Sequence, residues 1–372
     1  MDIAFIIPRL DSFGGAEKYF YNVAKLLSKR NDVTVYTTKY SYDLFPDIKE
    51  SVNVIKTPSI FDQKKQISTI LDLFMIKYIR NKILESHELY NMHLFPTNFL
   101  DLKPNVLTMH EPPRMLYDLE KETLSELSFF KKMIAKLYFP ILRRWDLSNT
   151  NKNIDVIIAN SRNSKKYIKR IYDKKVYVVY PGVDKKLLTI KNSPEKMILS
   201  VGRLYKAKRI DLIIIAFKKV VDVMKDYKLV IVGKGPEEHY LKSLAKKLKI
   251  YNKVLFVGEI DENKLYYYYK RAKLTVYTPT REMFGMVPIE SIATGTPVVG
   301  VKEGGYTEII GDAAELVNPD IDEISSAVIE YLTNSKKYKK ASMAGKKIAR
   351  RYSWSIVAKE TYGIFKDVLR KY

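Results

Sequence analysis

The amino-acid sequence predicts an α/β protein made of two consecutive doubly wound units, each with a parallel sheet covered by helices. The chain has 372 residues, which is more than one hydrophobic core usually serves. Short apolar runs alternate with amphipathic segments throughout, as in parallel sheets covered by helices. The pattern restarts after a polar connector at 184–196. We therefore expect an N-terminal domain at 1–188 and a C-terminal domain at 189–352.

Each predicted strand is a short apolar run. In the first half these runs lie at 3–8, 32–37, 52–57, 105–110, 156–160 and 176–182. In the second half they lie at 196–202, 228–233, 254–258, 274–278 and 296–301. The tail at 352–370 is predicted to form one long amphipathic helix. Because ligands bind at the carboxyl edge of an open α/β sheet, two such domains facing each other would form one deep cleft.

Composition limits the compartment and the chemistry. The chain has no cysteine, which excludes disulfides, thiolate metal sites and cysteine nucleophiles and suits a reducing compartment. The start "MDIAFIIPRL" predicts a first strand, not a secretion signal. No uncharged apolar run approaches the roughly 18 residues needed to span a bilayer. We expect a cytoplasmic protein whose contact with the inner face of the cell membrane would be peripheral.

The positive charge is regional. The formal net charge is +23, and residues 151–250 hold 25 Lys and Arg against 9 Asp and Glu. Such a field could attract nucleic acid, anionic lipid or a phosphorylated small molecule. No RNP-type strand, zinc spacing or recognition-helix motif accompanies the lysines, so nucleic-acid binding is a minor alternative. A solvated lysine-rich surface explains most individual lysines.

The stretch "REMFGMVPIESIATGTPVVG" at 281–300 places Glu282 and Glu290 on either side of a predicted helix start. Proline and glycine positions predict a helix of about two turns that begins near Met286, with Glu290 in its first turn. The free N–H groups at 284–287 would bind a phosphate. Glu290 would then suit the diol of a ribose, and Glu282 the hydroxyls of a sugar. Helix-start electrostatics is an equal alternative for the two acids.

A second basic stretch could supply cations. "SVGRLYKAKRID" at 200–211 presents Arg203, Lys206, Lys208 and Arg209 after a predicted strand. Two of them aimed at a ligand would clamp a diphosphate. A basic loop without a ligand is the alternative.

The N-terminal half offers a glycine pair and a histidine. The segment 6–27 joins strand to helix through Gly14 and Gly15, which could admit a phosphate or sugar close to the backbone. His110 follows a predicted strand, where an imidazole could hydrogen-bond a sugar or steady developing charge. A lone loop histidine is more often structural. The sequence contains no His or carboxylate cluster with metal spacing, so we expect a metal-independent site.

With these motifs the chain resembles the retaining, nucleotide-sugar-dependent glycosyltransferases of family four. That family has the GT-B fold, in which two Rossmann-like domains face each other across a cleft. The resemblance covers nearly the whole length and rests on "FGGAE" (13–17), "GRLYKAKRID" (202–211), "VGKGPE" (232–237), "EMFGMVPIE" (282–290), "GTPVVG" (295–300) and "GGYTE" (304–308). It also implies that the tail, at about 353–372, crosses back to the N-terminal domain.

The resemblance assigns donor-binding roles. Arg203 and Lys208 would bind the donor diphosphate, and Glu290 the ribose. Ala207 and Arg209 depart from the commoner sequence of the family, in which Glu and Gly frequently occur at these positions. This departure bears on the fine positioning of Lys208, not on the fold.

The resemblance also places residues around the donor sugar and phosphates. These are the Glu282 carboxylate, the backbone of Phe284, Gly285 and Met286, the His110 ring and, at the phosphates, Gly15. Glu282 and His110 are the candidates for catalysis, with Glu282 orienting the sugar. No enzymatic nucleophile is expected, and the departing phosphate would accept the acceptor's proton in a front-face reaction.

The stretches "HEPPRMLYD" (110–118), "RRWD" (143–146) and "IANS" (158–161) resemble a branch with many polysaccharide and lipid-linked-oligosaccharide mannosyltransferases. The resemblance thus implies a hexosyltransferase without cofactor, with GDP-mannose favoured as co-substrate and a UDP-sugar as the alternative. The acceptor would be a glycan or a polyprenyl-linked saccharide. A nucleotide-sugar epimerase, a glycan phosphorylase, a basic nucleic-acid-binding protein and a catalytically silent sugar-nucleotide sensor are the rival functions.

The segment 129–145 predicts a helix with apolar residues, among them Phe130 and Leu137, on one side and lysines on the other. The segment 161–175 adds a basic face. Together they could rest on anionic lipid and deliver a polyprenyl-linked acceptor. Core packing of the first segment and a solvated second helix are the alternatives.

Overall fold

The computed structural model describes residues 1–12, 14–45, 48–57, 86–125 and 127–372. Phe13 of the "FGGAE" motif therefore lies outside the described residues. The chain divides into two units, one formed by residues 1–180 with 354–372 and the other by residues 181–353. Each unit is built on its own parallel sheet.

The first unit contains a seven-stranded sheet with the order β3-β2-β1-β4-β5-β6-β7. Every neighbouring pair is parallel. The strands are β1 (Asp2–Ile6), β2 (Asp32–Thr37), β3 (Asn53–Lys56), β4 (Leu89–His93), β5 (Asn105–Thr108), β6 (Val156–Ala159) and β7 (Lys175–Val178). A separate parallel pair joins Arg9–Leu10 to Lys39–Tyr40.

Helices in the described part of the first unit connect these strands. They are α1 (Gly15–Leu27), α2 (Ile48–Ser51), α3 (Glu120–Ser125), α4 (Phe129–Asn153) and α5 (Arg162–Ile171). Helix α4 is held through Asp146, which is fully buried. Its carboxylate accepts hydrogen bonds from Asn98 Nδ2 at 2.8 Å, Tyr117 Oη at 2.5 Å and Tyr172 Oη at 2.6 Å. Because buried polar groups need such partners, this cluster fixes the C-terminal half of α4 in place.

The second unit repeats the plan with a six-stranded sheet. Its helices are α6 (Lys185–Thr189), α7 (Ile210–Val223), α8 (Glu238–Lys247), α9 (Glu262–Arg271), α10 (Met286–Thr294), α11 (Ile321–Thr333) and α12 (Ser335–Ala349). Its strands are β8 (Met197–Val201), β9 (Lys228–Val232), β10 (Val254–Gly258), β11 (Leu274–Tyr277), β12 (Val298–Val301) and β13 (Ala314–Val317). Their order in the sheet is β10-β9-β8-β11-β12-β13.

In both sheets the strand order reverses beside the first strand, between β1 and β4 and between β8 and β11. Loops leave such a pair of strands in opposite directions, so a crevice opens at the carboxyl edge, and ligands bind there in open α/β sheets. In the second unit the crevice is bordered by the loops at 202–209 and 278–285. The fold thereby brings together two stretches that the sequence marked for chemistry.

The last helix, α13 (Trp354–Leu369), belongs to the first unit. It packs on α1, where Tyr19 Oη lies 3.4 Å from Thr361 Oγ1. The Phe365 ring is fully buried and packs on Phe5, with ring centroids 6.2 Å apart. The prediction that the C-terminal helix returns to the N-terminal domain is confirmed.

The predicted fold class, two doubly wound α/β domains, is confirmed. The short pair Arg9–Leu10 and Lys39–Tyr40 was not predicted, and two strands of the large sheets were also missed. Strand β4 contains Asn91 and His93 among its five residues, and β13 contains Glu315. Asn91 is nevertheless fully buried, because its Nδ2 donates to Val106 O and Thr108 Oγ1, both at 3.0 Å. A buried strand can therefore hold polar residues when neighbouring strands satisfy them.

We expect Phe365→Ala to lower the free energy of unfolding of the first unit by about 3–5 kcal/mol, because it leaves a cavity in the core. Ile356→Ala is the matched control, since Ile356 lies on the same helix and is exposed. Both tryptophans, Trp145 and Trp354, lie in the first unit, so urea unfolding followed by fluorescence reports on it. Equal small losses in the two variants would show that α13 is not part of this core.

Candidate functional site

The loop after β8 is anchored to the end of β11. Thr280 N donates to Ala207 O at 2.8 Å, and Thr278 Oγ1 donates to the carbonyls of Lys208 and Arg209 at 3.1 and 3.0 Å. Arg209 adopts the left-handed conformation, with φ 49° and ψ 41°. Glycine is the usual residue in that conformation, which gives a physical reason for the glycine commonly found at this place in the resembling family.

Arg209 adds a side-chain anchor that a glycine would lack. Its Nη1 donates to Glu303 Oε1 at 2.8 Å, and Arg281 N donates to the other carboxylate oxygen at 3.4 Å. Burial works against the charge of Glu303, but hydrogen bonds from Arg209 and Thr280 outweigh it and lower the pKa of this carboxyl group. Arg209, which stands where the family commonly has glycine, thus forms an ion pair that connects three loops of the crevice.

Lys208 and Glu282 meet at the centre of the crevice. Lys208 Nζ donates to Glu282 Oε2 at 2.5 Å, and Tyr277 Oη donates to the same oxygen at 3.2 Å. Burial and the charge of Glu282 raise the pKa of Tyr277 well above its ordinary value. Tyr277 therefore stays protonated and holds the carboxylate as a hydrogen-bond donor. The structure thus brings together Lys208, predicted to bind the diphosphate, and Glu282, predicted to bind the sugar.

The loop that carries Glu282 turns into α10 at Gly285. This residue has φ +95°, and a Cβ atom added to it would lie 3.0 Å from Tyr277 Oη. The adjacent Phe284 is buried, and its carbonyl accepts a hydrogen bond from Tyr306 N at 2.7 Å. Helix α10 begins at Met286, as predicted. Its first N–H groups precede intrahelical hydrogen bonding, so they can bind an anion.

Glu290 lies deeper than predicted. It is the fifth residue of α10, so its placement in the first turn was wrong: Gly285 is the N-cap and the first turn contains no acid. The residue is only 6% exposed, and its Oε2 accepts a hydrogen bond from Tyr269 Oη at 3.0 Å. Because helix-terminus effects fade beyond the first turn, electrostatics at the helix start does not account for a buried acid here.

Arg203 stands apart from the Lys208–Glu282 pair. It is exposed, and its guanidinium lies over the Tyr205 ring, 5.5 Å from the centroid. It shares the 202–209 loop with Lys208 and remains accessible to a ligand at the carboxyl edge of β8.

In the first unit, Gly15 and His110 lie on neighbouring elements. Gly15 is the first residue of α1, with Gly14 as its N-cap, and His110 follows β5. Tyr19, four residues after Gly15 on α1, packs edge-on against the His110 ring with centroids 4.8 Å apart. The two predicted residues thus lie on the same side of the sheet, and Tyr19 connects the helix that begins with Gly15 to His110.

His110 is uncharged at neutral pH. Burial lowers the pKa of His110 to about 4, so its ring can exchange hydrogen bonds with a sugar but cannot steady charge as a resident cation. Its Nε2 is buried and has no hydrogen-bond partner within the described part of the chain. A buried polar atom of this kind is costly unless a ligand or water satisfies it.

A second buried histidine lies beside it. His93 ends β4, its ring centroid is 6.2 Å from that of His110, and its Nε2 donates to Asn91 Oδ1 at 2.6 Å. The tautomer follows from the network, because Asn91 Nδ2 already donates to two acceptors. Burial, and secondarily His110, lower the pKa of His93 well below its ordinary value. Both rings are therefore neutral.

Sequence reasoning missed the tyrosines that support the acids. The sequence could have indicated Tyr277, because this residue lies at the end of a predicted strand, at the ligand edge of the sheet. Tyr269 lies in the middle of "YYYYKR" on α9, and only the packing of α9 against α10 shows which of these tyrosines meets Glu290. Across the described ranges, no group of three or more His, Cys, Asp or Glu side chains comes together as a metal site would require.

Both halves of the chain match known protein families. A family model described as Glycosyltransferase Family 4 matches residues 13–187, and one described as Glycosyl transferases group 1 matches residues 188–348. Glycosyltransferase family domains therefore make up both halves of the chain. The resemblance inferred from its motifs is confirmed at this level.

Individual proteins support the assignment of this glycosyltransferase. An uncharacterized glycosyltransferase of Methanocaldococcus jannaschii is 36% identical over 184 residues, 46% of this chain. The chain spans about half of that relative, 45% of its length. An alpha-1,3/1,6-mannosyltransferase of Saccharomyces cerevisiae is 26% identical over 83% of this chain and 71% of its own length. The solved structure of Anabaena HepE in complex with UDP has a TM-score of 0.75 at 18% identity, covering 99% of this chain and 100% of its own. The last likeness shows the GT-B fold.

We expect Gly285→Ala to destabilise the glycosyltransferase by about 1–3 kcal/mol, since a side chain there is strained at positive φ and crowds Tyr277. Gly363→Ala is the matched control. It lies on α13, and an added Cβ would meet nothing within 4 Å, so it should stabilise by about 0.5–1 kcal/mol. Urea unfolding of both variants measures the difference. A neutral Gly285→Ala would contradict the crowding described above.

Stability should also fall with acid because of His110. Its pKa is about 4 in the folded chain against an ordinary 6.5, so between these values the unfolded chain binds more protons. The contribution of the neutral His110 ring to the free energy of unfolding is complete above pH 6.5. It falls by about 3 kcal/mol as the pH is lowered toward 4. His110→Gln should remove that part of the slope in fluorescence-monitored unfolding, whereas the exposed His239→Gln should not. An unchanged slope in His110→Gln would show that the ring is not buried as a neutral group.

Proposed function

We propose that this glycosyltransferase transfers a hexose, with retention at the anomeric carbon, from a nucleoside diphosphate sugar to a glycan or lipid-linked acceptor. The observation that carries this proposal is the contact of Lys208 with Glu282 beside the start of α10, at the switch point of the second sheet. A cation, a carboxylate and the amides of a helix start within one crevice suit a ligand that combines phosphates with hydroxyls.

Lys208 and Arg203 are the proposed diphosphate ligands. A lysine ammonium has three donors, and Glu282 occupies one of them in the structure. The others are available to phosphate oxygens while the ion pair holds the ammonium in position. Each charge-assisted contact contributes about 1.5–3 kcal/mol. The N–H groups at the start of α10, next to the backbone of Phe284 and Gly285, would add further contacts.

Glu290 is the proposed ribose ligand. Tyr269 donates to one oxygen of this buried carboxylate, and a vicinal diol would donate to the carboxylate with its two hydroxyl groups. Gly15 and His110 keep their assigned roles at the phosphates and the sugar. For His110 the proposed contact is a hydrogen bond to a neutral ring whose buried Nε2 is otherwise unsatisfied.

The reaction breaks the bond between the anomeric carbon and the diphosphate oxygen. Lys208, Arg203 and the start of α10 stabilise the charge that develops on the departing phosphate. The acceptor hydroxyl attacks the same face, and its proton passes to that phosphate oxygen. Glu282 is held between Lys208 and Tyr277, so its role is to accept hydrogen bonds from the sugar hydroxyls rather than to attack carbon.

Mannose from GDP-mannose is the favoured donor group. The matched Saccharomyces relative is an alpha-1,3/1,6-mannosyltransferase, and the motifs at 110–118 and 143–146 resemble the same branch. A UDP-sugar is the second candidate, because the structural neighbour HepE was solved with UDP.

Incubation with each donor tests the activity. GDP-mannose and UDP-glucose are supplied with and without a polyprenyl diphosphate-linked saccharide, and products are identified by mass spectrometry. Mass gain of the acceptor by one hexose supports the proposal. Conversion of the donor without acceptor would indicate an epimerase, and a need for inorganic phosphate would indicate a phosphorylase. Binding to DNA that falls steeply with salt, without any effect of nucleotide sugars, would favour the nucleic-acid alternative.

We expect Lys208→Ala to weaken binding of the nucleoside diphosphate by about 1.5–3 kcal/mol while nucleoside binding changes little. Lys206→Ala is the matched control, since this exposed lysine lies two residues away on the same loop. Isothermal titration with GDP and guanosine, or with UDP and uridine, measures both affinities.

The double variant Lys208→Ala with Glu282→Gln removes both charges. It separates the lost phosphate contact from the cost of leaving an unpaired carboxylate. Equal losses for nucleoside and diphosphate in Lys208→Ala would argue against a diphosphate clamp.

A further inference from the structure

Helix α4 has two apolar faces, and only one is covered. Ala135, Phe139 and Leu142 are buried in the core of the first unit. The opposite face exposes large apolar side chains, with Phe130 at 78% and Leu137 at 74% exposure. This apolar face consists of Phe129, Phe130, Met133, Ile134, Leu137 and Ile141. Core packing of Phe130 and Leu137, one of the alternatives raised by the sequence, is therefore wrong.

The exposed residues form one continuous surface. Positions three, four and seven apart share a side of a helix, and the face follows that spacing from Phe130 to Ile141. Soluble proteins rarely expose a contiguous apolar patch of this kind unless it binds something. Trp145, 45% exposed, continues the surface one turn further.

Basic side chains border the apolar face. Lys131 and Lys136 are exposed on its two sides, at helical positions between the apolar face and the buried face. An apolar surface with a cationic rim complements an anionic bilayer, since the apolar side chains enter the acyl boundary and the lysines meet the headgroups.

The apolar face lies toward the ligand edge of the first sheet. At the amino edge, Asn105 Nδ2 donates to Asn153 O at 2.8 Å. Toward the carboxyl edge, Arg143 Nε donates to Leu116 O at 2.6 Å, in the loop that follows His110. Helix α4 therefore runs antiparallel to β5, with its N-terminal half toward the carboxyl edge.

We propose that the apolar face of α4 docks the glycosyltransferase on an anionic membrane surface. No helix in the described residues is long and apolar enough to cross a bilayer, so the contact would be made by side chains at the surface. A second copy is a poorer occupant, because pairing this face with itself brings lysine rims together. The docking itself is independent of the proposed activity; only the delivery of a lipid-linked acceptor to the edge near His110 rests on that function.

The test is co-sedimentation of the full chain with vesicles of phosphatidylcholine alone or mixed equally with phosphatidylglycerol. The wild type should bind the anionic vesicles, and more weakly as salt rises. Phe130→Glu with Leu137→Glu should reduce vesicle binding by at least about tenfold, since charges replace two apolar side chains that would enter the bilayer. The matched control is Met343→Glu with Val223→Glu, which charges two apolar residues of similar exposure in the second unit.

Tryptophan fluorescence gives an independent readout. Trp354 is buried, so a blue shift on adding vesicles reports Trp145, and it should disappear in Trp145→Phe. Circular dichroism verifies that Phe130→Glu with Leu137→Glu is folded, and hexose transfer to a water-soluble acceptor should be unchanged in it.

Absence of wild-type binding to anionic vesicles would overturn the proposal. So would equal binding to neutral vesicles, or equal loss in the control variant. Sedimentation velocity covers the other occupant: a dimer that Phe130→Glu with Leu137→Glu dissociates would assign the face to a second copy. If the wild type binds anionic vesicles but transfers no hexose to the soluble acceptor, only the proposed function is contradicted.

Discussion

The ion pair between Lys208 and Glu282 is the contact on which the candidate site depends. It joins loops that leave two neighbouring parallel strands, β8 and β11, in opposite directions, and the residues are 74 positions apart in the chain. Tyr277, at the end of β11, donates a hydrogen bond to the same carboxylate. The Arg209–Glu303 pair joins the loop that carries Lys208 to the segment after β12. A lone lysine in this crevice would be a flexible cation. Paired in this way, it is a positioned one, and positioned charge is what stabilises a departing anion.

The first unit uses the same edge of its sheet differently. Around His110 this edge contains three buried, neutral side chains: His93, His110 and Asn91 are packed among Tyr19 and the strands, and burial holds both histidines uncharged. The two units therefore offer different chemistry on one topology. The second presents a lysine beside a helix start, a charge suited to phosphates, whereas around His110 the first presents uncharged hydrogen-bonding groups suited to hydroxyls. Burial decides this difference, since low-dielectric surroundings disfavour the charged form of an imidazole.

Helix α4 links this edge to the surface of the molecule. Its C-terminal half is pinned by Asp146, whose three donors keep a buried carboxyl group satisfied although burial raises its pKa. Its N-terminal half packs by one face and leaves the other exposed. An arrangement with two apolar faces gains nothing for folding from the second face, which is why we assign that face to a partner outside the chain.

Much of this could be predicted from the sequence because it depends on local rules. The alternation of apolar runs and amphipathic helices determined the fold class, the glycine and proline positions determined where α10 begins and ends, and the residue types in the 202–209 and 281–290 stretches led to the proposal of phosphate and hydroxyl chemistry there. Only the tertiary structure decided that β4 is a buried strand despite its asparagine and histidine, that Glu290 is a buried second-turn residue supported by Tyr269, that His110 is neutral, and which face of α4 is covered. Each of these depends on the burial and partners that distant segments provide, and no local pattern encodes how deeply a side chain will be buried or which distant donor will reach it.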